Sequence, residues 1–115
     1  MERGRQLVSN ATDAMIEHTI LDEAKELIYG ARQGAYGHPF DDFSKTGLIW
    51  QAILGVPVTP EQVALCLVGV KISREVNKHK RDNLVDGAGY FGTLELVVQE
   101  RDRREAMHRV GWPGD

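Results

Sequence analysis

Apolar residues recur at helical spacing in four stretches of the chain, and no stretch convincingly indicates a strand. The first stretch is predicted to form a helix with one buried face, because its apolar positions follow the i, i+4, i+7 pattern. These positions are Ile20, Ala24, Leu27 and Ala31, joined by Leu21 and Ile28. Thr19 is a candidate N-cap for this helix, and a start nearer Thr12 is the alternative.

The second and third helices are separated by a turn that contains glycine and proline. The second is predicted from about Phe40 to Leu54, and its apolar positions, spaced for one face, are Phe43, Trp50, Ile53 and Leu54. The third has the clearest start, with Thr59 as N-cap, Pro60 at the first helical position and Gln62 completing a capping box. Every residue from Val63 to Val70 is apolar or glycine, which predicts a helix buried on all sides at the centre of the fold.

A short polar connection from Asn77 to Arg81 precedes the fourth helix, for which Asp82 is a candidate N-cap. The apolar positions of this helix are Leu84, Ala88, Phe91, Leu94 and Val98. Because a short connection makes two helices antiparallel neighbours, the third and fourth helices should form a hairpin across which the first two pack. We therefore predict an all-α four-helix bundle and a single domain over residues 1–115. Its core spans about 12–104, and the charged segment from Arg101 onward frays or docks on a partner subunit.

The composition is that of an ordinary globular domain, with 42% hydrophobic and 27% charged residues among 115. A domain of this size buries roughly two-thirds of its unfolded surface, so self-association is an expected source of further stability. The net charge of −3 argues against nucleic-acid binding, and no window reaches the roughly 18 apolar residues of a membrane span. We expect a cytoplasmic protein in which Cys66, inside the apolar run, is a small buried hydrophobe.

Five charged residues are predicted to converge where the hairpin turns. They are Lys71, Arg74 and Glu75 at the end of the third helix, and Asp82 and Asp86 at the start of the fourth. Carboxylate oxygens are the ligands that Mg²⁺ prefers, while lysine and arginine pair with phosphate, so this set suits a nucleoside triphosphate with its metal. A salt-bridge network that only closes the hairpin, with Asp82 capping the fourth helix, explains the same charges.

Two further features bear on this site. Glu23 and Glu26 form an ExxE pair on the first helix, a pattern that is also common on solvated helix faces. The fourth helix carries three glycines, at 87, 89 and 92, and each costs a helix roughly 1 kcal/mol relative to alanine. Close approach of another helix, or room for a ligand, would explain them. Tyr90 on this helix, and Tyr36 in a predicted turn of residues 36–39 before the second helix, are candidates for contact with a base or for packing in the core.

Two motifs carry a resemblance to known proteins. Glu23-Ala-Lys-Glu26 and Asn83-Leu-Val-Asp86 resemble the ExxE and ExxD pairs of the all-α nucleotide pyrophosphohydrolases, the group that includes MazG-like proteins. Asn83 stands where that pattern has Glu, and Asp82 lies one residue out of register. The segments Tyr36-Gly-His-Pro, Lys71-Ile-Ser-Arg74 and the run from Arg81 to Tyr90 resemble small uncharacterised proteins of actinobacterial phages, over about Ile20 to Leu96.

The MazG-like resemblance implies a four-helix bundle completed by homo-oligomerisation, as a homodimer or homotetramer. It also implies Mg²⁺-dependent, or Mn²⁺-dependent, cleavage of a ribo- or deoxyribonucleoside triphosphate to the monophosphate and pyrophosphate, in phage nucleotide metabolism within the host cytoplasm. The metal ligands by this analogy are Glu23, Glu26, Glu75, Asp82 and Asp86, of which Glu26 and Asp86 are the catalytic candidates. The substrate contacts are Lys71 and Arg74 on phosphates, together with Asn83, Tyr90 and Tyr36.

Two other functions fit the same residues. A non-enzymatic module would capture a nucleotide or a host protein on this charged surface without turnover. A small phage nucleotide kinase would transfer a phosphate to a monophosphate without the standard glycine-rich phosphate loop, whose GxxxxGK[ST] pattern the sequence lacks.

Overall fold

The computed structural model describes residues 18–111, and all regular secondary structure in that range is helical. The helices are α1 Ile20–Tyr29, α2 Ala31–Tyr36, α3 Pro39–Leu54, α4 Pro60–Asn77 and α5 Arg81–Arg109. The prediction of an all-α chain is confirmed for this range. Four of the helices correspond to the four predicted, and α2 is an additional helix of 6 residues. Within the described range, no helix has the length and apolar character needed to cross a membrane.

Two predicted helix starts are present as reciprocal hydrogen bonds. At the start of α4, the Gln62 backbone N–H donates to Thr59 Oγ1 at 3.1 Å, and the Thr59 N–H donates to Gln62 Oε1 at 2.9 Å. Thr19 caps α1 in the same way with Asp22. A cap of this kind stabilises a helix by about 1 kcal/mol because it satisfies N–H groups that lack partners in the first turn. The alternative start near Thr12 lies outside the described residues.

The predicted N-cap of the last helix is wrong. Helix α5 begins at Arg81, and its N-cap is Lys80, which makes no side-chain capping bond. Asp82 therefore lies in the first turn of α5, where a carboxylate is still favourable beside the positive end of the helix dipole. The start is displaced because Glu75 of α4 accepts the Lys80 backbone N–H at 3.1 Å and so fixes the connection before Asp82 is reached.

The helices pack around an α4–α5 hairpin, as predicted. The connection of residues 78–80 makes α4 and α5 neighbours; α1 packs on α5, and α3 packs on both hairpin helices. The centre of the core is a cluster of Phe43, Val63, Ala64 and Val97, all 2% exposed or less. Phe40, Trp50, Val58, Leu67, Tyr90 and Leu94 surround this cluster.

The buried face of α5 differs from the predicted one. The buried residues are Asn83, Val85, Thr93 and Val97, whereas Leu84, Phe91 and Val98 of the predicted apolar stripe are exposed. The hydroxyl of Thr93 donates to the Gly89 carbonyl oxygen at 2.9 Å, which lets a polar residue lie inside. The apolar residues do lie along one stripe of the helix, as their spacing predicts. The other helices nevertheless pack against the neighbouring face, which is the one that is buried.

The apolar run of α4 is also not buried on all sides. Val63, Ala64 and Val68 are buried, but Leu65 and Val70 are exposed and so is Cys66, contrary to prediction. Ile53 and Leu54 of α3 are exposed as well. One side of each of these helices has no neighbour within the described residues, so hydrophobic composition overestimated their burial in the single chain.

The charged segment from Arg101 is ordered as helix up to Arg109 and so does not fray over that range. Arg101 pairs with Glu61 of α4, while Arg104 pairs with Asp41 of α3 at 2.9 Å and lies 4.4 Å from the centre of the Phe40 ring. Arg103 and Arg104 also bond Glu100 and lower its pKa to about 2. These pairs fasten the end of α5 to two other helices. Residues 112–115 lie outside the described range.

Candidate functional site

A polar cavity lies between the end of α4, the connection of residues 78–80 and the first turns of α5. Its volume is about 670 Å³, and it is open to solvent. The residues that line it are Lys71, Ser73, Arg74, Asn77, Lys78, Lys80, Asp82, Asn83 and Asp86. Five of the predicted site residues are in this set, Lys71, Arg74, Asp82, Asn83 and Asp86, whereas Glu75, also predicted to converge here, does not line the cavity.

An ion pair between the two helices forms part of the cavity wall. Lys71 Nζ lies 2.9 Å from Asp86 Oδ2, and the two side chains are 16% and 34% exposed. Partial burial reduces screening by water, so this pair is stronger than one on an open surface. These two charges converge at the hairpin, as the sequence predicts, and both line the cavity.

The charges that line the cavity favour an anionic ligand. Four are cationic, Lys71, Arg74, Lys78 and Lys80, against two carboxylates, Asp82 and Asp86, which leaves an excess of two positive charges. A concave surface with such an excess concentrates phosphate groups, and charge-assisted hydrogen bonds to phosphate are stronger than neutral ones. Asp82 and Asp86 are four residues apart on α5 and therefore share one face of the helix.

Glu75 is engaged in holding the hairpin connection. Its carboxylate accepts the Asn83 side-chain N–H at 3.1 Å and the Lys80 backbone N–H, and it contacts the His79 ring. The hydrogen bonds from His79 and Asn83 lower the pKa of Glu75, so it is ionised at neutral pH. For this residue, the geometry favours the salt-bridge interpretation of the sequence over metal ligation.

The same geometry explains Asn83, the departure from the pyrophosphohydrolase motif. Asn83 is 8% exposed, and its amide donates to Glu75 and, at 3.5 Å, to the Lys78 carbonyl oxygen. A glutamate at this position could donate no hydrogen bond and would place a second carboxylate beside Glu75. Asn83 therefore satisfies the Glu75 carboxylate of α4 and also lines the cavity.

The two glutamates of the α1 ExxE pair point in different directions. Glu23 pairs with Arg81 at the start of α5, one residue from Asp82, and Arg81 also donates to the His18 carbonyl oxygen at 2.9 Å. Glu26 is exposed, and it lies on the opposite side of α1 from Ala24 and Ile28, which pack inward. Within one chain, Glu26 therefore does not join Asp86.

The predicted five-carboxylate metal site is thus not assembled in the single chain. Among residues 18–111, no group of three or more histidine, cysteine, aspartate or glutamate side chains is arranged to hold a metal. Asp82 and Asp86 still fit a Mg²⁺ ion, because Mg²⁺ commonly uses one or two carboxylates and completes its coordination with substrate phosphates and water. The donor set is suited to a metal that arrives with a phosphorylated ligand.

The two predicted tyrosines lie in different places. Tyr90 packs against the core and lines a groove that begins at Asp86 and continues between α1 and α5. Tyr36 is exposed at the end of α2 and does not line the polar cavity. The structure thus brings Tyr90, but not Tyr36, next to the residues of the hairpin.

Comparison with known proteins gives a family but no activity. A family model described as a domain of unknown function, DUF6378, matches residues 19–98, which is most of the chain and includes the whole polar cavity. The chain belongs to the DUF6378 family. This DUF6378 chain is 34% identical over 86 residues to the Gene 55 protein of Mycobacterium phage D29, with 74% of the chain and 57% of the phage protein covered. It is 38% identical over 88 residues to the Gene 55 protein of Mycobacterium phage L5, with 75% and 56% covered.

The DUF6378 chain therefore spans about half the length of the curated relatives that it matches. The expected similarity to phage proteins is confirmed. No solved structure matches the chain.

The sequence interpretation missed four cavity residues of this DUF6378 protein, namely Ser73, Asn77, Lys78 and Lys80. A signal for the two lysines was present, since Lys78-His79-Lys80-Arg81 is a basic run at the hairpin connection. Because a connection this short holds its residues beside both helix ends, its charges had to lie at the mouth of any cavity there.

Proposed function

We propose that this DUF6378 protein is a metal-dependent nucleoside triphosphate pyrophosphohydrolase of the MazG-like type, which acts in phage nucleotide metabolism in the host cytoplasm. The observation that carries the proposal is the polar cavity, which is lined by four cations and by two carboxylates from one face of α5. The cations suit a triphosphate, and the carboxylates suit the Mg²⁺ or Mn²⁺ that accompanies it.

Four of the cavity residues have a defined part in this reaction. Lys71 and Arg74 bind phosphate oxygens and stabilise the negative charge that moves onto the departing pyrophosphate. A metal ion held by Asp82 and Asp86 would neutralise phosphate charge and lower the pKa of a water molecule. Asp86 is the catalytic carboxylate in this scheme, because it lies inside the cavity and Glu26 of the same chain does not.

The direct test measures pyrophosphate release from a panel of ribo- and deoxyribonucleoside triphosphates, with Mg²⁺, with Mn²⁺ and with a chelator. We expect release of pyrophosphate and monophosphate from at least one substrate, dependent on the metal. Binding of the triphosphates without any release would instead favour the non-enzymatic nucleotide-binding module. Transfer of phosphate to an added monophosphate would favour the kinase alternative.

Self-association is part of the proposal and rests on a separate surface, which we call the apolar hairpin face. Its residues are Leu65, Ile72 and Val76 on α4, and Leu84, Phe91 and Val98 on α5, each exposed. Residues 65 and 72, and residues 84, 91 and 98, are seven apart, the repeat that keeps one seam of a helix facing a partner helix. A groove of about 370 Å³ between Ile72, Val76, Leu84 and Phe91 joins the two stripes.

We propose that a second copy of the chain covers this face. Six exposed apolar side chains amount to several hundred Å², the size of patch that marks an interface in soluble proteins. Two hairpins packed through heptad-spaced stripes form a four-helix bundle between the chains, which buries the same residues from both copies. A homodimer is therefore the expected minimal unit.

Ile72→Glu and Phe91→Glu are each expected to convert the dimer to a monomer, because a dimer would bury the introduced carboxylate twice without a partner. Light scattering coupled to size exclusion would measure the mass across a range of concentrations. The matched control is Leu48→Glu, which changes an exposed leucine of α3 outside the apolar hairpin face and should remain dimeric. A monomeric wild-type protein, or equal dissociation of the control, would contradict this interface.

A further inference from the structure

Packing among the described residues explains some of the α5 glycines but not all of them. A Cβ added at Gly92 would collide with the side chain of Ile28, so close approach of α1 accounts for that glycine. A Cβ added at Gly87 would lie 3.9 Å from the Lys71 Cβ, an ordinary contact. A Cβ added at Gly89 would meet no atom within 4 Å. A glycine at 89 costs helix stability, and no packing contact among residues 18–111 explains it.

Gly89 lies in a groove that continues directly from the polar cavity. The groove is lined by Leu27, Ile28, Asp86, Gly89, Tyr90 and Thr93, and Asp86 lines the cavity as well. The face of α5 that runs through Asp82 and Asp86 passes into Gly89 and Thr93, because residues three to four apart stack along a helix. From Asp82 to Tyr90 the helix rises about 12 Å, the scale of an extended nucleotide.

The groove and the cavity differ in chemistry. The cavity is lined mainly by charged and amide side chains, whereas the groove beyond Asp86 is lined by Leu27, Ile28 and the Tyr90 side chain. At about 50 Å³ the groove is narrow, so it fits the edge of a flat ring and does not enclose one. A ligand with phosphates at one end and a planar, weakly polar group at the other would place its phosphates in the cavity and its planar end in the groove.

From these observations we infer that the groove beside Gly89 receives the nucleobase of the ligand whose phosphates occupy the polar cavity. This inference rests on the proposed function for the phosphate part. Gly89 is the specificity-determining position, since any side chain there projects into the space that the base enters. Tyr90 and Leu27, which line the groove, provide apolar contact to the edge of the ring.

The test compares two probes that share phosphate chemistry and differ in the base. One is the α,β-methylene analogue of the nucleoside triphosphate that the protein binds most tightly, which resists cleavage between the α- and β-phosphates, and the other is inorganic tripolyphosphate. We expect the wild-type protein to bind the nucleotide analogue at least about tenfold tighter than tripolyphosphate in calorimetric titrations. Gly89→Leu should remove that difference by weakening the analogue alone.

Two controls separate the effect on the base from an effect on the fold. Gly89→Ala should raise the urea midpoint, because alanine is the better helix former and nothing obstructs its methyl group, and should already weaken the analogue. Gly34→Leu is the matched change in α2, outside the apolar hairpin face, where an added Cβ also meets no atom within 4 Å, and it should leave both affinities unchanged.

The outcomes distinguish the two levels of the proposal. Equal binding of both probes to the wild-type protein, or equal weakening of both by Gly89→Leu, would overturn the nucleobase groove and leave the phosphate cavity standing. An analogue affinity unaffected by Gly89→Leu would overturn it as well. If the wild-type protein binds neither probe, both the cavity and the groove are refuted. If it binds the analogue more tightly but the panel shows no pyrophosphate release, the groove stands and only the hydrolase activity fails.

Discussion

Asp86→Asn is expected to lower the rate of pyrophosphate release by at least about 100-fold, since a metal ion at a phosphoryl group contributes several kcal/mol to the transition state. Asp86 is one of the two carboxylates that line the polar cavity, and it forms an ion pair with Lys71. Asparagine has nearly the same shape and retains one oxygen that can accept from Lys71. The charge that a metal requires is lost, while the packing is preserved.

The measurement is the initial rate of pyrophosphate release by wild type and variant at saturating Mg²⁺, with thermal unfolding recorded for both. Asp41→Asn is the matched control, because Asp41 also pairs with a cation at 2.9 Å, here Arg104, but at the other end of α5. We expect full turnover in that control. If Asp86→Asn keeps its rate, Asp86 is not catalytic, and if it unfolds, the ion pair to Lys71 is primarily structural.

The second large effect is expected in folding. Gly47→Ala should lower the free energy of unfolding by about 1–3 kcal/mol, the typical cost of forcing an extra group into a packed interior. A Cβ at this position in α3 would lie 2.5 Å from the Val58 carbonyl oxygen and 3.7 Å from Cγ2 of Val63, a fully buried core residue. The obstacle is backbone, so no side-chain rotation relieves it, and the segment before α4 must move.

Urea unfolding followed by circular dichroism, at one fixed protein concentration, provides the measurement. Gly69→Ala is the control in the next helix, where the added methyl group meets nothing within 4 Å, and it should raise stability by up to about 1 kcal/mol. Opposite signs for the same chemical change would establish close packing between α3 and the segment before α4. If Gly47→Ala left the free energy of unfolding unchanged, the segment before α4 would move aside at little energetic cost.

The predictions that rested on local chemistry were the accurate ones. The capping box of Thr59, Pro60 and Gln62 is formed as the sequence indicated, because all its partners lie within one turn. The short connection correctly predicted the α4–α5 hairpin. Because the hairpin brings the end of α4 beside the start of α5, Lys71 approaches Asp86. The start of α5 was misplaced because Glu75, on the preceding helix, determines it through Lys80 and Asn83.

The errors arose where the answer depends on which helix lies beside which. Periodicity identified the stripe of Leu84, Phe91 and Val98, yet the chain buries the adjacent face with Thr93 and Val97. Cys66 was expected inside because its neighbours are apolar, and it is exposed because α4 has one uncovered side. Hydrophobicity specifies that a surface is to be covered, and it does not identify the covering element.

The sequence by itself determined the helical architecture of residues 18–111, the helix start at Thr59, and the convergence of charges at the hairpin. These properties follow from backbone capping, side-chain period and chain connectivity, which act over a few residues. Only the tertiary structure decided that Glu75 stabilises the connection, that Glu26 points away from Asp86, and that Gly89 opens into a groove. Those facts depend on the rotation of each helix about its axis, which is set by packing against distant residues and not by any local pattern.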